Sequence, residues 1–246
     1  MRPSPPVAAP LPLVLVPGLL CTAEVWRGQI EQLGDRVEAF VPDVTGHDTV
    51  GELADVALAS APERFTLAGF SMGGYIALEM ARAAPRRVLG LALLGTNARP
   101  EAPDARRPRE ELIRLAEEGR FHEVPGRLIP RWLAPANHMT PALTEAVERM
   151  ARAVGPAAFV RQQRAIIGRS DARAALATMR APTLVLGGET TSSSPPDQAA
   201  EMADLVPGAT LRLLPECGHM APLERPAAVA EAMTVWLAQV RATADL

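Results

Sequence analysis

Short runs of consecutive apolar residues alternate along this chain with longer stretches whose apolar residues recur at helical spacing. Leu13-Val14-Leu15-Val16 is unbroken and closes on Pro17-Gly18; Val37-Glu38-Ala39-Phe40-Val41 closes on Pro42-Asp43. Phe65 to Phe70, Val88 to Leu94, Thr183 to Leu186 and Thr210 to Leu214 repeat the pattern. Runs apolar on both faces predict strands covered on both sides, and intervening helices predict parallel pairing through crossovers. The fold class that follows is α/β, a mostly parallel, doubly wound sheet. Between strands, Tyr75 to Arg82 carries apolar residues at helical spacing and stops before Pro85, and the last helix runs from Pro226 to about Val240.

One interval is too long for a simple crossover. Between Leu94 and Thr183 there is no strand signal, only helix patterns at Pro108–Glu118, Pro141–Ala153, Pro156–Ile167 and Asp171–Met179. Prolines open three of them, and Thr140 and Ser170 are candidate N-caps. The expectation is a core formed by residues 1–97 and 181–246, with a helical cap inserted at 98–180.

Six residues, Gly69-Phe70-Ser71-Met72-Gly73-Gly74, stand between a strand pattern and a helix pattern. A serine at so sharp a turn is held in a strained backbone conformation with its hydroxyl exposed. Glycines flank it because a Cβ there would strike the neighbouring strand or helix. The first turn of the following helix offers N–H groups to a developing negative charge. Ser71 is therefore the candidate nucleophile.

A nucleophilic serine needs a base. His219 follows directly on the last strand, in Gly218-His219-Met220-Ala221-Pro222, where a parallel sheet delivers a residue over the serine. His47, in a turn after the second strand, and His122 and His138, in the cap stretch, read as surface or packing residues. Two backbone donors are needed for an oxyanion. Met72 N–H is one, and Leu19 N–H, in the tight turn Pro17-Gly18-Leu19-Leu20, is the second.

With Val14–Gly18, Pro42–His47, Gly69–Gly74, Pro182–Gly188 and Gly218–Pro226 in this order, the chain resembles the α/β-hydrolase superfamily, close to its small cap-bearing esterases and lactonases. The resemblance implies hydrolysis of a small carboxylic ester or lactone through an acyl-enzyme, with no cofactor. Family members often have His-Gly where this chain has Pro17-Gly18, a change of little consequence because the donor is a later backbone N–H.

The acid departs further. In the family, a Gly-x-x-Asp segment precedes a Pro-Pro that opens a helix; here Gly188-Glu189-Thr190-Thr191-Ser192-Ser193-Ser194-Pro195-Pro196 puts Thr191 in the acid slot. Glu189 at the strand end is the first candidate to orient His219. Glu101 or Asp104 after the fourth strand is a second, and Asp197 a third, although Ser194-Pro195-Pro196-Asp197 reads as a helix cap with its first-turn proline. A site with no acid is the fourth reading. It keeps open a non-hydrolytic lyase or cyclase on the same fold, or a catalytically inactive small-molecule-binding protein.

Composition narrows the partners. The 246 residues carry a net charge of −3, and all 25 basic residues are arginine. That balance leaves no basic footprint for nucleic acid and points to a small-molecule substrate. No apolar run is long enough for a membrane span, since Pro10, Pro12 and Pro17 break the N-terminal apolar stretch. Residues 1–9 read as a proline-rich tail, and a signal peptide's charged start and cleavage site are not seen. Two cysteines, Cys21 and Cys217, make no disulfide framework and fit a reducing cytoplasm. The histidines lack metal-ligand spacing, so no metal is expected. Trp132, Met139, Met150 and Phe159 are candidate pocket walls.

Overall fold

The six apolar runs become six strands of one parallel sheet in a computed structural model that describes residues 9–243. They are β1 (Leu11–Val16), β2 (Val37–Phe40), β3 (Phe65–Phe70), β4 (Val88–Leu94), β5 (Thr183–Gly188) and β6 (Thr210–Leu214), in spatial order β2-β1-β3-β4-β5-β6. Every residue of β3, β4 and β5 is buried, as unbroken apolar runs require, whereas the edge strands β2 and β6 are short and partly exposed. The tail expected at residues 1–9 lies outside the described residues, apart from exposed Ala9.

Helices α1 (Arg27–Leu33), α2 (Val50–Ser60) and α3 (Met72–Ala83) alternate with the first four strands. After β4 come α4 (Pro103–Glu117), α5 (Val124–Trp132), α6 (Pro141–Ile167) and α7 (Arg173–Leu176). Next, α8 (Pro196–Leu205) separates β5 from β6, and α9 (Ala221–Glu224) and α10 (Pro226–Thr243) end the chain.

Two glycines show how the layers close on the sheet. Gly69 touches α3: a Cβ there would lie 2.3 Å from Gly73 O. Gly90, in register with Thr66, touches Trp236 and Val240 of α10. Thr66 and Gly69 are three positions apart, so they face opposite sides, and α3 and α10 cover opposite faces. Among the described residues, no helix is long and apolar enough to cross a membrane.

The long interval after β4 is helical, with differences of detail. Pro108 does not open a helix but sits inside α4, which starts one and a half turns earlier at Pro103. The helices expected to meet near Pro156 do meet there: Gly155, at φ 76°, breaks α6 without ending its hydrogen-bonded run. Helix α5 was not anticipated, because its two prolines mask the apolar spacing of Val124, Leu128, Ile129 and Trp132. Thr140 caps α6 only by position, and Asp171 rather than Ser170 bonds the N–H of Arg173. The interval leaves and rejoins the sheet at one point, where Ala172 N–H donates to Ala98 O (2.9 Å) and Arg169 Nε donates to Arg99 O (2.9 Å).

Because all six strands run the same way, the segments that follow β1, β3, β5 and β6 emerge along one edge of the sheet. Close approach of α3 to that edge depends on Gly73, where a Cβ would lie 2.2 Å from Val16 O and 2.7 Å from Pro17 O. Gly73→Ala is therefore expected to lower unfolding free energy by about 3 kcal/mol in urea titrations. Gly51→Ala, in open space on α2, is expected to leave stability unchanged or raise it by about 0.5–1 kcal/mol.

Candidate active site

Ser71 occupies the junction of β3 and α3 with φ 53° and ψ −117°, a left-handed conformation that costs a non-glycine residue of order 1–3 kcal/mol. The strain is held in place from both sides. Ser71 N–H donates to Leu94 O at 2.9 Å, and Ser71 O accepts from Gly74 N–H at 2.9 Å. Gly69 and Gly73 then let backbone pass backbone on either side of the turn. The hydroxyl is left facing a cavity of about 90 Å³.

His219 reaches it from the loop after β6. Its Nε2 lies 2.9 Å from Ser71 Oγ. The ring packs between Phe70, with centroids 5.3 Å apart, and Trp132, at 6.4 Å. Backbone bonds fix the loop: His219 N–H (2.7 Å) and Met220 N–H (3.1 Å) both donate to Trp132 O at the end of α5. Glu224 Oε2 then accepts Ala134 N–H (2.7 Å) and Asn137 Nδ2 (2.8 Å), tying the same two segments together a second time. Burial, helped by the nearby Arg109 and Arg131 guanidiniums, pulls the His219 imidazole down from its ordinary value to about 4. It is held neutral.

The other ring nitrogen has an unexpected partner. His219 Nδ1 is 3.1 Å from Ser194 Oγ, and Ser194 is buried. None of the four carboxylates considered from sequence reaches the ring. Glu189 is exposed at the end of β5: its N–H bonds Leu214 O, while Thr190 bonds Cys217 O through both N–H and hydroxyl. That pinning turns the Glu189 side chain to solvent, where its charge stays hydrated. Glu101 is buried but shared between Arg109 (2.9 Å) and Arg169. Asp104 and Asp197 are exposed in the first turns of α4 and α8. Thr191 is buried, but its hydroxyl accepts Ser193 N–H at 3.2 Å. Ser194, expected as a helix cap, precedes the N-cap Pro195 and gives its hydroxyl to the histidine instead. Two prolines opening α8 leave no N–H for a cap to satisfy at those positions, which frees that hydroxyl.

Leu19 lines the cavity beside Ser71 and His219, and Met72 is the first residue of α3. The turn that carries Leu19 is set by a residue not singled out from sequence. Gln162, fully buried on α6, accepts Leu20 N–H (3.1 Å) and donates to Val44 O (3.2 Å), and Leu20 has φ 56°. The remaining wall comes from Tyr75 of α3, Ala105, Pro108, Arg109 and Leu112 of α4, Leu128, Arg131 and Trp132 of α5, Ile166 of α6, and Ser193. Of the four residues expected as walls, Trp132 lines the cavity. Met150 and Phe159 are core residues, and Met139 is exposed. Cys21 and Cys217 are buried thiols, each pushed up to about 12 by burial, and take no part. His138 bonds Leu133 O (3.0 Å), a packing role. Among the described residues, no three His, Cys, Asp or Glu side chains converge as metal ligands would.

The fold recurs among known proteins. A thermophilic esterase from Thermogutta terrifontis, solved with malate bound, has a TM-score of 0.86 and 30% identity, covering 94% of this chain and 91% of that one. The enol-lactonase of Burkholderia xenovorans LB400 shares the fold, with a TM-score of 0.84 at 23% identity over 94% and 92% of the two chains. In sequence, the pimeloyl-[acyl-carrier protein] methyl ester esterase of Nitrosomonas europaea is 25% identical over 228 residues, covering 87% of this chain and 90% of that protein. The model of the Alpha/beta hydrolase family matches residues 13–232, and the chain belongs to that family.

Proposed function

We propose that this protein is a serine hydrolase that cleaves a small carboxylic ester or lactone through an acyl-enzyme. The observation that carries the reading is the 2.9 Å hydrogen bond between Ser71 Oγ and His219 Nε2 at the base of a cavity. The esterase names borne by its relatives support hydrolysis as the reaction. In this reading Ser71 Oγ attacks the carbonyl carbon while its proton passes to Nε2. The Leu19 and Met72 N–H groups hold the oxyanion. His219 returns the proton to the alcohol oxygen as the C–O bond breaks. Water then attacks the acyl carbon, loses a proton to His219, and Ser71 recovers it as the carboxylic acid leaves. Residues 98–180 act as the cap, since α4, α5 and α6 supply the cavity's outer wall.

Ser194 takes the place a carboxylate holds in most such sites. For Nε2 to accept the serine proton, Nδ1 must carry a hydrogen, and Ser194 Oγ accepts it. A neutral hydroxyl orients the ring and selects the tautomer without stabilising an imidazolium. The site is thus built for a histidine that is neutral at rest and charged only in transit. The same feature favours a second reading, a lyase or cyclase that leans less on imidazolium charge, and Ser71 reactivity separates the two.

Rapid adduct formation at Ser71 with a fluorophosphonate, located by peptide mass spectrometry, supports the hydrolase; a folded protein that stays unlabelled overturns it. Ser71→Ala is expected to remove ester turnover. Ser194→Asp supplies a carboxylate and is expected to raise kcat by about 10-fold or more, as the converse of the roughly 10⁴-fold loss when a triad acid becomes an amide. Activity requires neutral His219, so with its pKa near 4 the acid limb of kcat/KM falls near pH 4 rather than 6.5. The added carboxylate in Ser194→Asp favours the protonated ring, so that limb moves to higher pH.

A further inference from the structure

The cavity at Ser71 is small, and its charge is one-sided. Its lining carries two guanidiniums, Arg109 and Arg131, and no carboxylate. Arg109 is partly committed, with Nε on Glu101 (2.9 Å) and Nη1 on Gln163 (2.9 Å). Glu101 also pairs with buried Arg169, so one carboxylate answers two arginines there. Arg131 is exposed and has no side-chain hydrogen bond or ion pair among the described residues. In this arginine-rich chain most other guanidiniums on the cap helices α4 to α6 are answered: Arg106, Arg107, Arg127, Arg149, Arg152 and Arg164 all meet glutamates. Arg114 of α4, also without a side-chain partner among the described residues, and Arg161 of α6, which donates to Thr45 O, lie outside the cavity lining; of the unanswered cap arginines it is Arg131 that lines the wall facing the serine. Beside the arginines the lining carries the apolar side chains of Leu112, Leu128, Trp132 and Ile166 and the hydroxyls of Ser71, Tyr75 and Ser193.

We propose that the substrate carries a carboxylate a few bonds from the scissile carbonyl, and that Arg109 and Arg131 bind it. This rests on the reading of Ser71 as nucleophile. A planar guanidinium fork matches a carboxylate with two parallel hydrogen bonds. Because Ser71, Arg109 and Arg131 line one and the same cavity, the chain between ester and anion is short. The same two arginines disfavour charge on His219, so an anion seated between them supplies the negative charge that Ser194 does not.

The test uses ester pairs with the same heavy-atom skeleton, in which the carboxylate is exchanged for an isopropyl group. Monomethyl succinate is compared with methyl 4-methylpentanoate for an acyl-side anion, and acetoxyacetate with isobutyl acetate for an alcohol-side anion. In at least one pair kcat/KM is expected to favour the anionic ester by about 10-fold or more. The ratio should fall toward one in Arg131→Gln and invert in Arg131→Glu. Arg131 has no structural partner to lose, and thermal melts of both variants check folding. Arg109→Gln should lower the ratio too. Equal kcat/KM within both pairs, or a preference unmoved by Arg131→Glu, overturns the proposal while leaving the hydrolase reading intact. If wild type cleaves neither member of either pair, fluorophosphonate labelling of Ser71 decides the hydrolase reading separately. The anion site is then read directly: succinate should raise the melting temperature of Ser71→Ala but not of Ser71→Ala/Arg131→Glu, and no shift in either rejects it.

Discussion

Backbone passing backbone without a side chain between is the contact on which this molecule turns. At Gly69 and Gly73 helix α3 lies so close to β3 and to the end of β1 that any Cβ would overlap a carbonyl. That closeness fixes where α3 begins and holds Ser71 in the left-handed region, where its hydroxyl leaves the sheet. The same device recurs on the far side of the site. A Cβ on Gly188 would meet Gly218 O at 2.1 Å, so the ends of β5 and the His219 loop are also in direct backbone contact. Serine and histidine come from segments 148 residues apart, yet each is set by glycine contacts against the same sheet edge.

The helical interval between β4 and β5 does more than roof the cavity. Trp132 O receives both N–H groups that start the His219 turn, and Glu224 reaches back to Ala134 and Asn137. Gln162 does the corresponding work for the turn after β1, bonding Leu20 from α6. Core and interval therefore share the ordering of the site, so a change in α5 or α6 alters the geometry at Ser71 as directly as a change in the sheet.

Electrostatically the site is unusual in having no carboxylate at its centre. A hydroxyl stands on His219 Nδ1, two arginines lie nearby, and the imidazole is buried between aromatic rings. Burial and the two arginines press toward the neutral ring, and the hydroxyl brings no charge to oppose them. In the mechanism proposed above, protonated His219 needs compensating charge, and the carboxylate proposed for the substrate supplies it.

The architecture was legible in the residues themselves, because a strand buried on both faces must be apolar throughout. All six such runs became strands. Ser71 and His219 were legible for a related reason: each sits at a strand end beside glycines, and parallel strands bring their ends to one edge. Helix α5 was hidden by its prolines, and Pro108 misled because a proline tolerated inside α4 looks the same in sequence as one that starts a helix. The orienting partner of His219 was beyond the sequence. Glu189, Glu101, Asp104, Asp197 and Ser194 all lie within reach along the chain, and only the three-dimensional arrangement decides among them. Arginines claim Glu101, hydration keeps Glu189 and the two aspartates outside, and the turn into α8 aims the Ser194 hydroxyl at the ring. Periodicity determines which faces are buried; which polar groups meet inside is settled by competition among all their partners at once, and that exists only in the folded chain.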